Sequence, residues 1–145
     1  MTNYLLDTNL ILLSIRAGKD WVATRQKYEL DQSANFISVV TLGELWSLSF
    51  QNNWGPRRIA EMEKLLPQFI VADINIESII RRYAEIDAFS QGKLKGAALG
   101  MSSRNMGKND LWIAATASVL GLTLLTTDGD FDHLAPSFLN LQRIK

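Results

Sequence analysis

Residues 4–9 have the sequence YLLDTN, a short apolar run that ends directly at a carboxylate. A run of this kind predicts a buried strand, with Thr8 or Asn9 placed to cap a following helix. Similar runs at 36–40, 69–72 and 122–126 alternate with helical patterns, and residues 139–142 predict a last edge strand. This alternation predicts an α/β fold, a three-layer α/β/α domain over residues 1–145 with a mostly parallel sheet of about five strands.

The helical segments are marked by apolar spacing and by capping residues. Thr41 and Glu44 have the spacing of a capping box and predict that a helix begins at Thr41. Residues 75–89 have one apolar face, and residues 110–120 are rich in alanine and end before Gly121. Residues 92–107 contain four glycines and few large side chains, which predicts a loop.

The composition excludes several kinds of chemistry. The chain has 145 residues, with 15 Lys and Arg, 15 Asp and Glu, one His and no Cys. Without Cys there are no disulfides, no thiolate catalysis and no Cys-ligated metal, and a single His133 is too little for a His-rich metal site. We assign His133 no catalytic role. Carboxylates remain plentiful, and their hard oxygen ligands suit Mg²⁺ or Mn²⁺.

Charge and hydropathy also restrict the partners. The net charge is +0, so any nucleic acid must be held by a local patch rather than by a global basic field. No apolar run approaches the roughly 18 residues that a membrane-spanning helix needs, and residues 1–7 have no basic segment of the kind that begins a signal peptide. We expect no membrane association and a cytoplasmic protein.

Four acids are predicted at the edge of the sheet where parallel strands have their carboxyl ends. Asp7 follows the first strand, Glu44 lies in the first turn of the helix after the second, Asp128 follows the fourth, and Asp110 opens the helix before the fourth. Each alone has an ordinary explanation as a cap, a helix-dipole partner or a turn residue. Together they would repel one another, which folded proteins tolerate mainly when a cation offsets the charge. The pattern favours attack of a metal-activated water on a phosphodiester.

Four motifs in series carry a resemblance to a known family. They are LLDTN at 5–9, SVVTLGEL at 38–45, NDLWIAA at 109–115 and LTTDGDF at 125–131. In this order and spacing they resemble the PIN-domain ribonucleases, most closely the VapC-type toxins of prokaryotic toxin–antitoxin pairs. The resemblance implies a parallel sheet of about five strands, a Mg²⁺- or Mn²⁺-dependent endoribonuclease acting on RNA, and a small antitoxin protein as partner.

The resemblance also implies roles for the acids. Asp7 and Asp110 are expected to hold the principal ion, with Glu44 and Asp128 binding through water or holding a second ion. The last motif offers both Asp128 and Asp130 as the fourth acid. We favour Asp128 because it is nearer the end of the strand.

Polar and basic residues near the acids have two interpretations each. Hydroxyl and amide groups could orient the carboxylates or could serve as caps and strand-end partners; they are Thr8, Asn9, Ser38 and Thr126. Four positive charges in and beside the glycine-rich segment could hold RNA phosphates or could lie in a solvated loop; they are Lys93, Lys95, Arg104 and Lys108.

Three large aromatic residues are spaced four apart, at Trp46, Phe50 and Trp54. This spacing predicts one stripe along a helix. Core packing could account for part of the stripe, but a homodimer or partner-protein surface accounts better for three large aromatics on a helix of a small protein.

Two other functions compete with a nuclease. A phosphatase with an aspartyl nucleophile generally needs a second Asp two residues after the first, where this chain has Asn9. A PIN-like RNA-binding or regulatory module without catalysis or a toxin role would gain nothing from an acidic cluster that repels phosphate. A small open reading frame with a basic or disordered tail immediately upstream would favour the toxin.

Overall fold

A computed structural model of the protein describes residues 2–144 and contains one five-stranded sheet. All neighbouring strands are parallel, in the order β3-β2-β1-β4-β5. The strands are β1 (Tyr4–Leu6), β2 (Asn35–Ser38), β3 (Ile70–Ala72), β4 (Thr123–Thr126) and β5 (Asn140–Arg143). The predicted parallel sheet of about five strands is confirmed, and β1 lies at its centre.

Helices connect the strands. They are α1 (Thr8–Arg16), α2 (Lys19–Lys27), α3 (Val39–Gln51), α4 (Pro56–Leu65), α5 (Glu77–Ser90) and α6 (Lys108–Leu120). Short 3₁₀ turns add Leu30–Gln32, Leu66–Gln68 and Gly129–Leu134. Residues 92–107 contain neither helix nor strand, as their glycine content predicts. None of the helices within residues 2–144 has the length and apolar character needed to cross a membrane.

The sheet separates two apolar cores, because successive side chains of a strand point to opposite faces. Leu5 and Leu124 pack with residues of α5 and α6 on one face. Leu6 and Leu125 pack with residues of α1, α3 and α4 on the other. All four leucines are completely buried. This arrangement is the three-layer α/β/α architecture expected from the sequence.

The ends of two helices differ from the sequence predictions. Helix α1 begins at Thr8 and is capped by Asp7, whose carboxylate accepts a hydrogen bond from the Thr8 backbone N–H at 2.7 Å, so neither Thr8 nor Asn9 is the cap. Helix α3 begins at Val39, because the Ser38 hydroxyl accepts a hydrogen bond from the Val40 N–H at 3.0 Å. The capping box at Thr41 was therefore wrong, and Glu44 lies in the second turn of α3.

The cap of α3 can be tested by Ser38→Ala. Loss of this cap should lower the free energy of unfolding by about 1 kcal/mol, since an orphan N–H at the helix start loses its partner. Urea unfolding of the metal-free protein measures the change. Ser47→Ala, on the exposed side of the same helix, is the matched control and should leave the midpoint unchanged. Equal midpoints for the two variants would contradict the assignment of the cap.

Candidate functional site

Asp7 lies at the centre of the carboxyl edge of the sheet, directly after β1. Its side chain is buried, and both carboxylate oxygens are engaged. Oδ1 accepts the hydrogen bond from the Thr8 N–H, and Oδ2 accepts one from the Thr126 hydroxyl at 2.8 Å. The carboxylate is thus fixed by the first turn of α1 and by the end of β4.

A chain of hydrogen bonds joins α1 to α3 beside Asp7. The Thr8 hydroxyl donates to Oε1 of Glu44 at 2.7 Å, and the hydroxyl oxygens of Thr8 and Thr41 lie 3.0 Å apart. Since the Thr8 hydroxyl has one hydrogen and gives it to Glu44, Thr41 is the donor in the second contact. Thr41 was missed as a site residue because its spacing to Glu44 indicated a helix cap.

Three further carboxylates meet at the same edge. Single carboxylate oxygens of Asp110, Asp128 and Asp130 all lie within 4.8 Å of one another. The Asp128 N–H donates to the Thr126 hydroxyl at 3.0 Å, and Asp128 Oδ1 accepts from the Asp130 N–H at 2.9 Å. Thr126 therefore contacts both Asp7 and the turn that carries the two later acids. Asp128 and Asp130 are both close to Asp110, so both are available as the fourth acid.

The turn between Asp128 and Asp130 is covered by a residue of β5. Arg143 is in register with Thr126, and its Nη1 lies 3.0 Å from where a Cβ on Gly129 would stand. The guanidinium also forms an ion pair with Asp132. A Cβ at Gly129 would require the flexible end of the Arg143 side chain to shift by a few tenths of an ångström.

Burial raises the pKa of Asp7, and the negative charges of Glu44 and Asp128 add to the increase. The hydrogen bonds from Thr126 and Thr8 act in the opposite direction, because they stabilise the charged form. Asp7 is therefore a carboxylate whose desolvation is only partly offset by its donors.

Asp110 has the larger perturbation. Burial, followed by the negative charges of Asp7, Asp128, Glu44 and Asp130, raises its pKa from the ordinary 3.8 to about 7. A position in the first turn of α6 should favour a carboxylate, so burial and the neighbouring acids outweigh the helix dipole. The donor set consists of oxygen atoms only, and within residues 2–144 none of these acids forms an ion pair. These properties fit a hard divalent cation.

Two other polar residues near the acids are placed differently from the sequence hypothesis. Ser38 is completely buried, but its hydroxyl accepts from the backbone of α3 rather than contacting an acid. Asn9 is exposed, and within residues 2–144 its side chain forms no hydrogen bond. Of the four proposed orienting residues, the structure brings only Thr8 and Thr126 into contact with the acids.

Three of the four basic residues lie in the glycine-rich segment, and the fourth begins the helix that follows it. Lys93 and Lys95 are exposed in the glycine-rich segment, whereas Lys108 is the first residue of α6, two positions before Asp110. Arg104 is half-buried, and its backbone N–H donates to Ser90. The positive charges therefore lie along the segment that leads into the acidic edge.

His133 has a structural environment. Its Nε2 lies 2.8 Å from the Ser90 hydroxyl oxygen, and its ring is parallel to that of Phe89. Burial, and then the charge of Arg104, lower the pKa of His133. These contacts link the 3₁₀ turn after β4 to α5.

The three aromatic residues do not share one helix. Trp46 and Phe50 are neighbours on α3, with ring centroids 6.2 Å apart, and Phe50 is 74% exposed. Helix α3 ends at Gln51, so the prediction of a single helical stripe was wrong for Trp54. Trp54 is half-buried against the core, with the Arg58 guanidinium 4.2 Å from its ring centroid.

Comparison with known proteins identifies similar sequences and folds. A family model described as "PIN domain" matches residues 4–136. "Ribonuclease VapC2" of Haemophilus influenzae is 27% identical over 128 residues, which are 88% of each chain. The solved structure of VapBC-1 from nontypeable Haemophilus influenzae is 26% identical with a TM-score of 0.72, and 98% of each chain is covered. VapBC2 from Rickettsia felis, bound to a promoter DNA fragment, is 20% identical with a TM-score of 0.79 over 98% of each chain.

Asp110→Asn tests the charge crowding through the pH dependence of stability. Between pH 3.8 and about 7 the folded wild type holds a proton on Asp110 that the unfolded chain has lost, so its stability falls as pH rises through this window. Asn does not ionise, so the variant does not lose stability in this way. The metal-free variant should therefore melt about 3 °C or more above wild type at pH 8, and the difference should shrink toward pH 4.

Glu63→Gln is the matched control, because Glu63 is exposed on α4. Melting curves in chelator at several pH values make the measurement. If the difference in melting temperature between Asp110→Asn and wild type does not change with pH, the raised pKa of Asp110 is contradicted.

Proposed function

This chain belongs to the PIN-domain family, and from that premise we propose that it is a Mg²⁺- or Mn²⁺-dependent endoribonuclease that hydrolyses RNA phosphodiesters. The observation that carries the proposal is the convergence of five acids on the carboxyl edge of the sheet, where burial and then the charges of the other four raise the pKa of Asp110; the five are Asp7, Glu44, Asp110, Asp128 and Asp130. In a protein that only bound RNA, this concentration of negative charge would weaken the binding by repelling the phosphates.

We propose that Asp7 and Asp110 hold the principal ion, and that Glu44 and Asp128 bind it through water or hold a second ion, with Asp130 available in place of Asp128. Two observations support this arrangement. After burial, the negative charge of Asp7 is the largest cause of the raised pKa of Asp110, and carboxylate oxygens of Asp110, Asp128 and Asp130 lie within 4.8 Å of one another. When bound, the cation supplies an activated water and stabilises charge on the phosphoryl oxygens.

The other residues of the site keep the carboxylates in place. Thr126 and the Thr8 N–H hold Asp7 in one orientation, and the Thr8 hydroxyl holds Glu44. Fixed ligands lower the reorganisation needed when substrate is bound. Asp110 must lose its proton to bind a cation, so Mn²⁺ affinity is expected to rise as pH increases through about 7.

We further propose that the protein is the toxin of a toxin–antitoxin pair and forms a homodimer. The name of the relative "Ribonuclease VapC2" and the VapBC complexes among the similar structures support this role. A small antitoxin protein would then neutralise the ribonuclease. The exposed ring of Phe50 beside Trp46 is the part of the aromatic surface available for a second copy or for the antitoxin.

The nuclease is tested by metal removal and by Asp7→Asn. RNA cleavage by the purified protein should stop in EDTA and return with Mg²⁺ or Mn²⁺. Asp7→Asn should lower the cleavage rate at least about 100-fold and preserve the fold, since Asn still accepts the hydrogen bond from the Thr8 N–H. Asp128→Asn and Asp130→Asn in the same assay identify the fourth acid. Wild-type cleavage by a folded Asp7→Asn protein, or full activity in chelator, would contradict the proposal.

The basic residues are tested by salt dependence. If Lys93, Lys95, Arg104 and Lys108 hold phosphates, their joint substitution by Gln should weaken binding of all RNA sequences. The slope of log affinity against log salt should also fall by roughly one for each phosphate that is no longer neutralised. Filter binding of RNA to the Asp7→Asn protein measures the slope without cleavage. The control removes the same total charge elsewhere on the surface, by joint substitution of Lys19, Lys27, Arg57 and Lys64. If both sets reduce the salt-dependence slope equally, the proposed local phosphate-binding role is contradicted.

The partner surface is tested by Phe50→Ser. Because the Phe50 side chain is 74% exposed, the substitution should leave the melting temperature nearly unchanged while weakening self-association or antitoxin capture at least about tenfold. Light scattering gives the mass, and co-purification with a co-expressed candidate antitoxin gives the capture. Val22→Ser, at an exposed position on α2, is the control. A monomeric wild type that captures no antitoxin would contradict the proposed surface.

A further inference from the structure

A groove between α3 and α6 begins at the acidic edge and leads away from it. It has a volume of about 530 Å³ and is lined by Gly43, Glu44 and Ser47 on one side and by Asn109 and Trp112 on the other. This volume is in the range of small-molecule sites. Glu44 belongs to both the groove and the acidic edge, because its Oε1 accepts the hydrogen bond from Thr8. A chain held at the edge would therefore place a neighbouring group in the groove.

Gly43 is an unusual choice at its position. It lies in the interior of α3, where glycine is the poorest helix former other than proline. Its φ is not in the left-handed region, and an added Cβ would have no atom within 4 Å. Neither backbone conformation nor core packing therefore requires glycine here. The consequence of its missing side chain is additional width in the groove beside Glu44.

The opposite wall presents an aromatic ring in a fixed position. Trp112 is half-buried, and its ring packs against Tyr83 with centroids 4.3 Å apart. An indole held in this way can serve as a platform on which a planar ring stacks, a contact that tolerates any base. Polar groups lie nearby, since the Gln51 side-chain amide donates to the Ser47 hydroxyl at 2.8 Å and Asn109 is exposed.

The charge of the groove lining favours the base of a nucleotide over its phosphate. Among residues 2–144, its lining contains no Lys or Arg, and Glu44 is its acidic residue. A phosphate would find no positively charged side chain in this lining, whereas an uncharged planar group with hydrogen-bonding edges needs none. We propose that this groove binds one base of the RNA, adjacent to the bond that is cut, stacked on Trp112 and admitted by the missing side chain of Gly43. The inference rests on the proposed ribonuclease function.

Cleavage kinetics with abasic substrates test the groove. In single-stranded RNA oligonucleotides that wild type cuts, removing one base at a time should identify a position next to the cleaved bond where kcat/KM falls about tenfold. Gly43→Leu places a side chain in the groove, so it should lower kcat/KM for intact RNA by a similar factor and abolish the abasic effect. Ala60→Leu, at an exposed helical position on α4, should retain both values.

Neutral nucleosides test the groove without metal or catalysis. The chain has four tryptophans, so Trp112→Phe identifies the indole N–H signal of Trp112 in a nitrogen–proton correlation spectrum. Adenosine, guanosine, cytidine and uridine should each be added in chelator. At least one should shift the Trp112 indole and Gly43 amide signals of wild type and of Ala60→Leu. The Trp112 shift should be absent in Gly43→Leu.

The outcomes separate this inference from the function on which it rests. If wild type cuts RNA but Gly43→Leu shows the same abasic effect as wild type, the groove does not hold a base and the ribonuclease proposal stands. Nucleosides that shift no groove signal, together with a change of mass in Gly43→Leu, would assign the groove to a protein partner and overturn the inference. If wild type cuts no RNA, the proposed function fails, and the nucleoside shifts alone decide whether the groove recognises bases.

Discussion

Repulsion among carboxylates at one edge of the sheet is the constraint around which this molecule is organised. The parallel topology brings the carboxyl ends of β1, β2 and β4 to the same edge, so acids far apart in sequence become neighbours. Asp7 is buried at the centre, and two hydrogen-bond donors offset only part of its desolvation. Asp110 has its pKa raised to about 7 by burial and by four other acids. In the absence of a cation the fold bears an electrostatic cost that a bound cation would remove.

The register of the sheet controls the geometry of this edge. Thr126 ends β4, donates to Asp7 and accepts from the Asp128 N–H, so one hydroxyl fixes the acid after β1 and the turn after β4. Arg143 in β5 pairs with Thr126 and lies against Gly129 within the same turn. A one-residue slip of β4 would turn Thr126 to the other face and release both acids. The apolar cores on the two faces therefore maintain the site as well as the fold.

Much of this architecture follows from local sequence patterns. Short apolar runs and helical spacing are enough to predict the strands, the parallel sheet and the acids at its edge, because these depend on periodicity and topology. The helix ends were less predictable, since Ser38 and Thr41 both offer a hydroxyl near the start of α3 and only the backbone conformation selects Ser38. The position of Trp54 and the groove lined by Gly43 depend on where α3 ends and how it packs against α6. Neither is encoded in a local pattern.

The structure shows Asp7 as the cap of α1, and this role is compatible with its proposed role as a metal ligand. A residue directly after a central parallel strand lies at the N-terminus of the next helix and at the carboxyl edge of the sheet simultaneously. Oδ1 of Asp7 accepts the hydrogen bond from the first N–H of the helix, and Oδ2 accepts the one from the Thr126 hydroxyl. The positive end of the helix dipole also favours the negative charge of the carboxylate. The hydrogen bond that caps α1 therefore also helps to fix the position of the carboxylate. Asp7→Asn separates the two roles, because it removes the negative charge and keeps a hydrogen-bond acceptor at the start of the helix. The helix cap needs only the acceptor, whereas the proposed cation binding needs the negative charge.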